Sequence, residues 1–182
     1  YPSWWDQGFP LYQEYGFPAV GWVNAISWWT QGAGYHAVER LKTMHKAGWE
    51  IGSHTYSHSY PITEPEVSRM KEWLDSLGFY NSGFQSPSND WSHNIINIVK
   101  KYHPYFSCLT MSVHPLENGM SQPFDVYALK RFSLTNDVPE LMDKVRDLLD
   151  SAVANNQWII FYGHVIGSQT PSWEQDTVLL KA

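Results

Sequence analysis

Residues 17–61 read FPAVGWVNAISWWTQGAGYHAVERLKTMHKAGWEIGSHTYSHSYP, and the order of patterns inside this stretch decides the fold. FPAVGWVN (17–24) is a short apolar run of strand length. Residues 35–46 are amphipathic at helical spacing and stop before Gly48, and WEIGSHT (49–55) is again strand-like. Strand, crossover helix and second strand make a parallel unit. The stretch closes with His54 and His58, four residues apart and directly past the second strand. With eight His in 182 residues, chance supplies roughly 0.3 such pairs, so the spacing alone leaves a metal site and an accident both open.

The same alternation continues outward. Further strand-like runs fall at 82–88, 105–112, 126–135 and 158–165. Thr63-Glu64-Pro65-Glu66 has the form of a capping box, in which Glu66 reaches back to the N–H of the cap residue. Val67, Met70, Leu74 and Leu77 then form an apolar stripe ending at Gly78. Residues 137–140 repeat the device ahead of Leu141, Val145, Leu148, Leu149 and Ala152. The expected fold is α/β: one domain over 1–182, a parallel sheet with crossover helices, forming an incomplete (β/α) barrel. Both ends look cut, because residues 3–16 are helix-like with no strand before them and the helical pattern of 173–182 has no stop signal.

Composition removes several function classes. Charged residues are 16% of the chain and the net charge is −6, with Lys and Arg scattered rather than in a stripe, which argues against a nucleic-acid partner. No run reaches the ~18 apolar residues of a membrane span, and the first residues lack the order of a signal peptide. A single cysteine, Cys108, excludes an intrachain disulfide and is expected buried. Ten Trp, eleven Tyr and eight Phe exceed what one core easily buries, so some aromatic surface is expected to serve binding. Trp29, from the Trp28-Trp29 pair, and Trp91 are the candidates for stacking on a sugar.

In parallel β/α folds the chemistry gathers where strands end and loops begin. His54, His58 and His164 all lie at such ends. His36 and His45 fall on a helix, and His93, His103 and His114 on a helix start, a turn and a strand exit, where a solvated or satisfied histidine is the plain reading. Two imidazoles do not complete a catalytic zinc site; a third ligand is required, with one position left open. The nearest acids, Glu50 and Glu64, are not at rim positions.

Four stretches resemble the polysaccharide deacetylase family, also called the NodB homology or carbohydrate esterase family 4 domain. GWEIGSHTYSHSYP resembles its H-[ST]-x-x-H metal motif, WIIFYGHVIG its late histidine motif, FQSPSND its [FR]-x-P loop, and residues 1–24 the segment after its first motif. The resemblance implies a distorted (β/α) barrel and a Zn²⁺ site, or Co²⁺, Ni²⁺ or Mn²⁺, with His54 and His58 as ligands. It implies His164 as catalytic acid, Pro87 as the loop proline and Ser88 as donor of an oxyanion N–H. The family's Asp-Asp pair, which supplies the catalytic base and the third ligand, would precede Tyr1. Gln85 stands where many members carry Arg, and Ser88-Asn89 replaces the commoner Tyr-Gly, so substrate contacts around Gln85 are expected to differ.

The implied activity is removal of acetyl groups from N- or O-acetylated glycans, in an extracytoplasmic or secreted protein. Arg131, at the end of a strand, has two natural roles: orienting His164 or a substrate carbonyl, or a surface ion pair. Two other uses of the same fold stay open, a catalytically inactive carbohydrate-binding domain and a hydrolase of C–N bonds in small amides. A barrel lacking a strand would also leave edges through which chains self-associate.

Overall fold

The computed structural model describes residues 3–26, 35–109, 118–119, 125–134, 140–164 and 166. The chain divides into two compact units, residues 16–108 with 126–128, and residues 1–15, 109–125 and 129–182.

The first of these carries the stretch that set the fold. Strand β1 (Val20–Val23) pairs in parallel with β2 (Glu50–Ser53), with Val20 opposite Glu50 and Val23 opposite Ser53. The crossover helix occupies Tyr35–Lys46, the span its periodicity predicts, and Gly48 follows at φ +96°, a conformation that removes the penalty a side chain would carry. Two single-residue parallel bridges extend the order, Ser53 to Phe84 and Phe84 to Phe106. The Phe84 N–H donates to Tyr105 and its C=O accepts from Ser107, each at 3.0 Å, while on the other side Ser53 donates to the Gly83 carbonyl and accepts from the Gln85 N–H, each at 2.9 Å. The strand expected over 82–88 shrinks to the one bridging residue Phe84 because Pro87 has no N–H to offer and Ser88 and Asn89 turn to positive φ.

Helix Glu64–Ser76 buries Val67, Met70 and Leu74 completely, three of the four residues of the predicted stripe, while Leu77, half-buried, follows as its C-cap ahead of Gly78 at φ +90°. Each such side chain contributes roughly 1.5–3 kcal/mol of burial. Val67 joins Ile62, Phe84, Ile95, Ile96, Val99 and Phe106 in a core cluster, where Phe84 and Phe106 meet edge to face at 5.3 Å. Ile95, Ile96 and Val99 come from helix His93–Val99, which Ser92 caps by accepting the Ile95 N–H.

The second unit is built from shorter pieces. A π-helical turn, Trp4–Gly8, runs into helix Phe9–Tyr15. Phe132–Ser133 pairs in parallel with Phe161–Tyr162, and Asn118–Gly119 pairs antiparallel with Gln157–Trp158, a departure from the all-parallel expectation. The runs at 126–135 and 158–165 are each split into two short strands. In the first, the break is at Arg131, a buried charge between Leu129–Lys130 and Phe132–Ser133. Helix Leu141–Ala154 buries Leu141 and Ala152 and leaves Leu149 exposed, so its apolar face is narrower than the sequence stripe. Residues 135–139, Trp29 and the expected helix at 173–182 lie outside the described residues. Pairings among the described residues close no sheet, and no described helix is long and apolar enough to cross a membrane.

Candidate metal centre and active-site residues

Ser53 is the last residue of β2, and His54 continues the ladder by donating its backbone N–H to the Val23 carbonyl at 2.8 Å. The loop that follows is tied at nearly every residue. Thr55 is buried at φ +64° and its Oγ1 accepts the His58 N–H at 3.1 Å. The Tyr56 carbonyl accepts from Ala25 and Ile26 at 2.9 and 3.2 Å, and the Tyr56 ring carries the Arg69 guanidinium 4.1 Å above its centre. His58 itself sits at φ +60°. Left-handed backbone at a non-glycine residue costs on the order of 1–3 kcal/mol and persists only where surroundings enforce it. Here they do, twice within four residues.

The two imidazoles meet. His54 Nε2 and His58 Nε2 are 3.1 Å apart, with ring centres separated by 4.8 Å. His54 Nδ1 lies 2.8 Å from the Gln85 carbonyl. A carbonyl only accepts, so Nδ1 carries the proton and the neutral ring leaves its lone pair on Nε2, the nitrogen facing His58. This is the outer contact that metal-ligating histidines make, fixing tautomer and ring orientation. Zinc–nitrogen bonds of about 2.0–2.1 Å at a tetrahedral angle place two ligand nitrogens about 3.3 Å apart. The observed separation fits one divalent ion gripped by both rings. Among the described residues no group of three or more His, Cys, Asp or Glu gathers there.

Glu50 and Glu64 are engaged elsewhere. Glu50 opens β2, at the other end from His54, and Oε1 accepts from Gly83 N–H and Tyr105 O–H, each at 2.7 Å. Burial, then the Glu50 carboxylate, push the Tyr105 hydroxyl far above its usual range. Glu64 takes Lys101 and the Tyr102 hydroxyl.

The loop carrying Gln85 runs beside the pair. Gln85 N–H completes the ladder to Ser53 at 2.9 Å while its carbonyl holds His54, so both backbone groups are committed and the side chain is buried. Pro87 is buried and opens a short 3₁₀ turn, Pro87–Asn89. Ser88 (φ 56°, ψ 20°) and Asn89 (φ 55°) are consecutive left-handed residues, both exposed. Trp91 is half-buried against the core cluster and its indole N–H donates to the Tyr127 carbonyl at 2.9 Å, which commits its polar handle and leaves the ring for contact.

In the other unit His164 is exposed, and its carbonyl accepts the Trp4 indole N–H. Two residues on, Ile166 N–H donates to Ser3 Oγ at 3.1 Å. Tyr162 meets the His164 ring edge-on at 6.1 Å and carries the Arg131 guanidinium 4.1 Å above its own face. Arg131 is 1% exposed, which overturns the surface ion-pair reading and leaves a buried cation stacked on the ring that flanks His164.

The family model for polysaccharide deacetylase matches residues 1–105. The chain belongs to the polysaccharide deacetylase family. The streptococcal deacetylase PplD of Streptococcus pyogenes, solved with acetate, is 16% identical and superposes with a TM-score of 0.55 over 78% of this chain and 64% of its own. At that identity the likeness concerns the fold. A family 4 carbohydrate esterase from Streptomyces lividans, also solved with acetate, is 15% identical with a TM-score of 0.47 over 56% of this chain and 54% of its own. The chain thus spans between half and two thirds of the length of these structures. Comparison with curated protein sequences gives no match.

In this member of the family, sequence reasoning missed three residues around the candidate groups. Tyr162, between Arg131 and His164, read only as part of an apolar run. Trp4 was counted only among the ten Trp. Glu66 was assigned to a capping box, but the Thr63 side chain makes no cap bond and Glu66 Oε2 instead accepts the Ser57 N–H at 2.7 Å, because the His54–His58 loop reaches that carboxylate first.

Proposed function

We propose that the chain is part of a metal-dependent hydrolase with the NodB-type distorted (β/α) barrel, removing acetyl groups from N- or O-acetylated glycans. One observation carries the reading: in a chain of this family, two imidazoles face each other at 3.1 Å, with the tautomer of one set by the Gln85 carbonyl. Zn²⁺, or Co²⁺, Ni²⁺ or Mn²⁺, held by His54, His58 and a carboxylate outside the described residues, supplies Lewis acidity toward water and the acyl carbonyl when bound.

The chain's own residues supply the rest. The bond from Nδ1–H to the Gln85 carbonyl sets the His54 tautomer, so that the neutral ring turns its Nε2 lone pair toward His58. Ser88, in an exposed left-handed turn after Pro87, offers its backbone N–H to the oxyanion that develops as the acyl carbon becomes tetrahedral. His164 is the acid that returns a proton to the departing nitrogen or oxygen. Its ring is positioned edge-on against Tyr162, over whose face the buried Arg131 cation lies. Gln85, Pro87, Trp29 and Trp91 are the substrate-side residues, with the Trp rings suited to sugar faces.

The test uses the full-length protein. His54→Ala should remove stoichiometric Zn²⁺, measured by elemental analysis, together with acetate release from acetylated glucosamine oligomers; His93→Ala should change neither. Full metal content in His54→Ala refutes the site. A parent that binds the oligomers, holds Zn²⁺ and releases no acetate is a binding domain instead.

A further inference from the structure

Residues 55–57 are the only link between the two imidazoles along the chain, and one helix turn grips two of the three. Glu66, in the first turn of helix Glu64–Ser76, accepts the Tyr56 N–H on its backbone carbonyl at 3.1 Å and the Ser57 N–H on Oε2 at 2.7 Å. Arg69, one turn further along the same helix, lies over the Tyr56 ring. Thr55 ties to its own loop, through the His58 N–H. The helix that buries Val67 and Met70 in the core is therefore one rigid body against which the loop is registered, through Glu66 and Arg69, while Ala25 and Ile26 hold the Tyr56 carbonyl and leave Ser57 to Glu66.

We propose that Glu66 is a positioning residue for the His54–His58 pair: its carboxylate, by holding Ser57, sets the separation at which both imidazoles grip one divalent metal ion. The inference rests on the metal reading above and adds a residue to it. The physical case is reach. His58 follows Ser57 directly and sits in left-handed backbone, a conformation the chain leaves once its enforcing bonds are removed. A site of this kind tolerates displacements of only about 0.5 Å. A carboxylate near a helix N-terminus is also favoured by the helix dipole, so charge alone is the competing explanation.

Three substitutions in the full-length protein separate reach from charge. Glu66→Gln keeps the length and an oxygen that accepts the Ser57 N–H; Glu66→Asp keeps the charge and falls one methylene short; Glu66→Ala loses both. Zn²⁺ affinity is read by competition with a chromophoric chelator. In the metal-free protein, Ser57 amide exchange and the His58 ring ¹⁵N shifts are read by NMR. Asp and Ala should weaken Zn²⁺ binding about 10- to 100-fold, the usual loss for an outer contact, while Gln stays close to the parent. In the metal-free protein the same two variants should lose Ser57 protection and shift the His58 resonances. Parent-like behaviour of Glu66→Asp with loss in Glu66→Gln overturns the proposal in favour of helix charge. Unchanged Zn²⁺ affinity in Asp with Ser57 unprotected overturns it as well. Should Ala fail to fold, the Asp and Gln pair alone decides. If the parent itself takes up no Zn²⁺, the metal reading fails, and the proposal fails with it only when the His58 resonances do not follow the Asp–Gln order.

Discussion

Acid should unfold this protein in part through one histidine that takes no part in the candidate chemistry. His103 is 3% exposed, its Nδ1–H donates to the Ser82 carbonyl at 2.8 Å, and its Nε2 is buried with no hydrogen-bond partner among the described residues. Burial holds the imidazole down from 6.5 to about 4, with Lys71 pushing the same way and the Ser82 bond and Asp75 opposing. Because the folded value lies below the unfolded one, the unfolded chain binds the proton more readily between these values. The contribution is complete above pH 6.5 and is lost as pH falls toward 4. A displacement of this size is worth about 3 kcal/mol, a large share of the ~5–15 kcal/mol of a typical domain. His103→Asn places an amide N–H where Nδ1 sits, keeping the bond to Ser82 while removing the titration. Urea unfolding followed at pH 7, 5.5 and 4 should show the variant less stable at pH 7, through the cavity it leaves, with the gap to the parent closing by about 3 kcal/mol at pH 4. A gap that stays constant with pH refutes the reasoning.

Three further outcomes follow from the geometry. Thr55→Val removes the acceptor of the His58 N–H and should cost about 1 kcal/mol in thermal unfolding and several-fold in Zn²⁺ affinity, whereas Thr55→Ser should match the parent; equal losses in the two would discard the hydroxyl's role. His164→Ala should lower kcat on the order of 10²–10⁴-fold while Zn²⁺ content and KM hold, and loss of metal from this variant would make His164 a ligand. Gly52→Ala should destabilise by about 1–3 kcal/mol in urea unfolding, since a Cβ there would lie 2.3 Å from the Trp22 ring across the β1–β2 pair; no change would mean that the indole swings clear without cost.

What the sequence made legible was set by local periodicity. The crossover helix and the helix after Pro61 appear within a residue of the expected bounds, because apolar spacing and the flanking glycines are properties of adjacent residues. The position of His54 and His58 past β2 was equally legible. Pairing was not. Whether residues 82–88 form a ladder depends on Tyr105 and Ser107 far along the chain, and whether 126–135 stays continuous depends on where Arg131 is buried. The capping pattern at Thr63–Glu66 failed for the same reason, since the short-range donor for Glu66, the Thr63 N–H, competed with the Ser57 N–H from nine residues away and lost.

That competition shows how the candidate site is assembled. His54 inherits its place from the parallel ladder, through Val23, and its tautomer from the next bridge, through Gln85. His58 inherits nothing from the sheet. It leaves the strand through two left-handed residues, and every bond that enforces this path, from Thr55, Ala25, Ile26 and Glu66, comes from a loop or a helix end. One imidazole is therefore as rigid as the sheet and the other only as rigid as its tethers. A substitution that loosens the site without touching either histidine should act on the His58 side, while the contacts of His54 to Val23 and Gln85 persist.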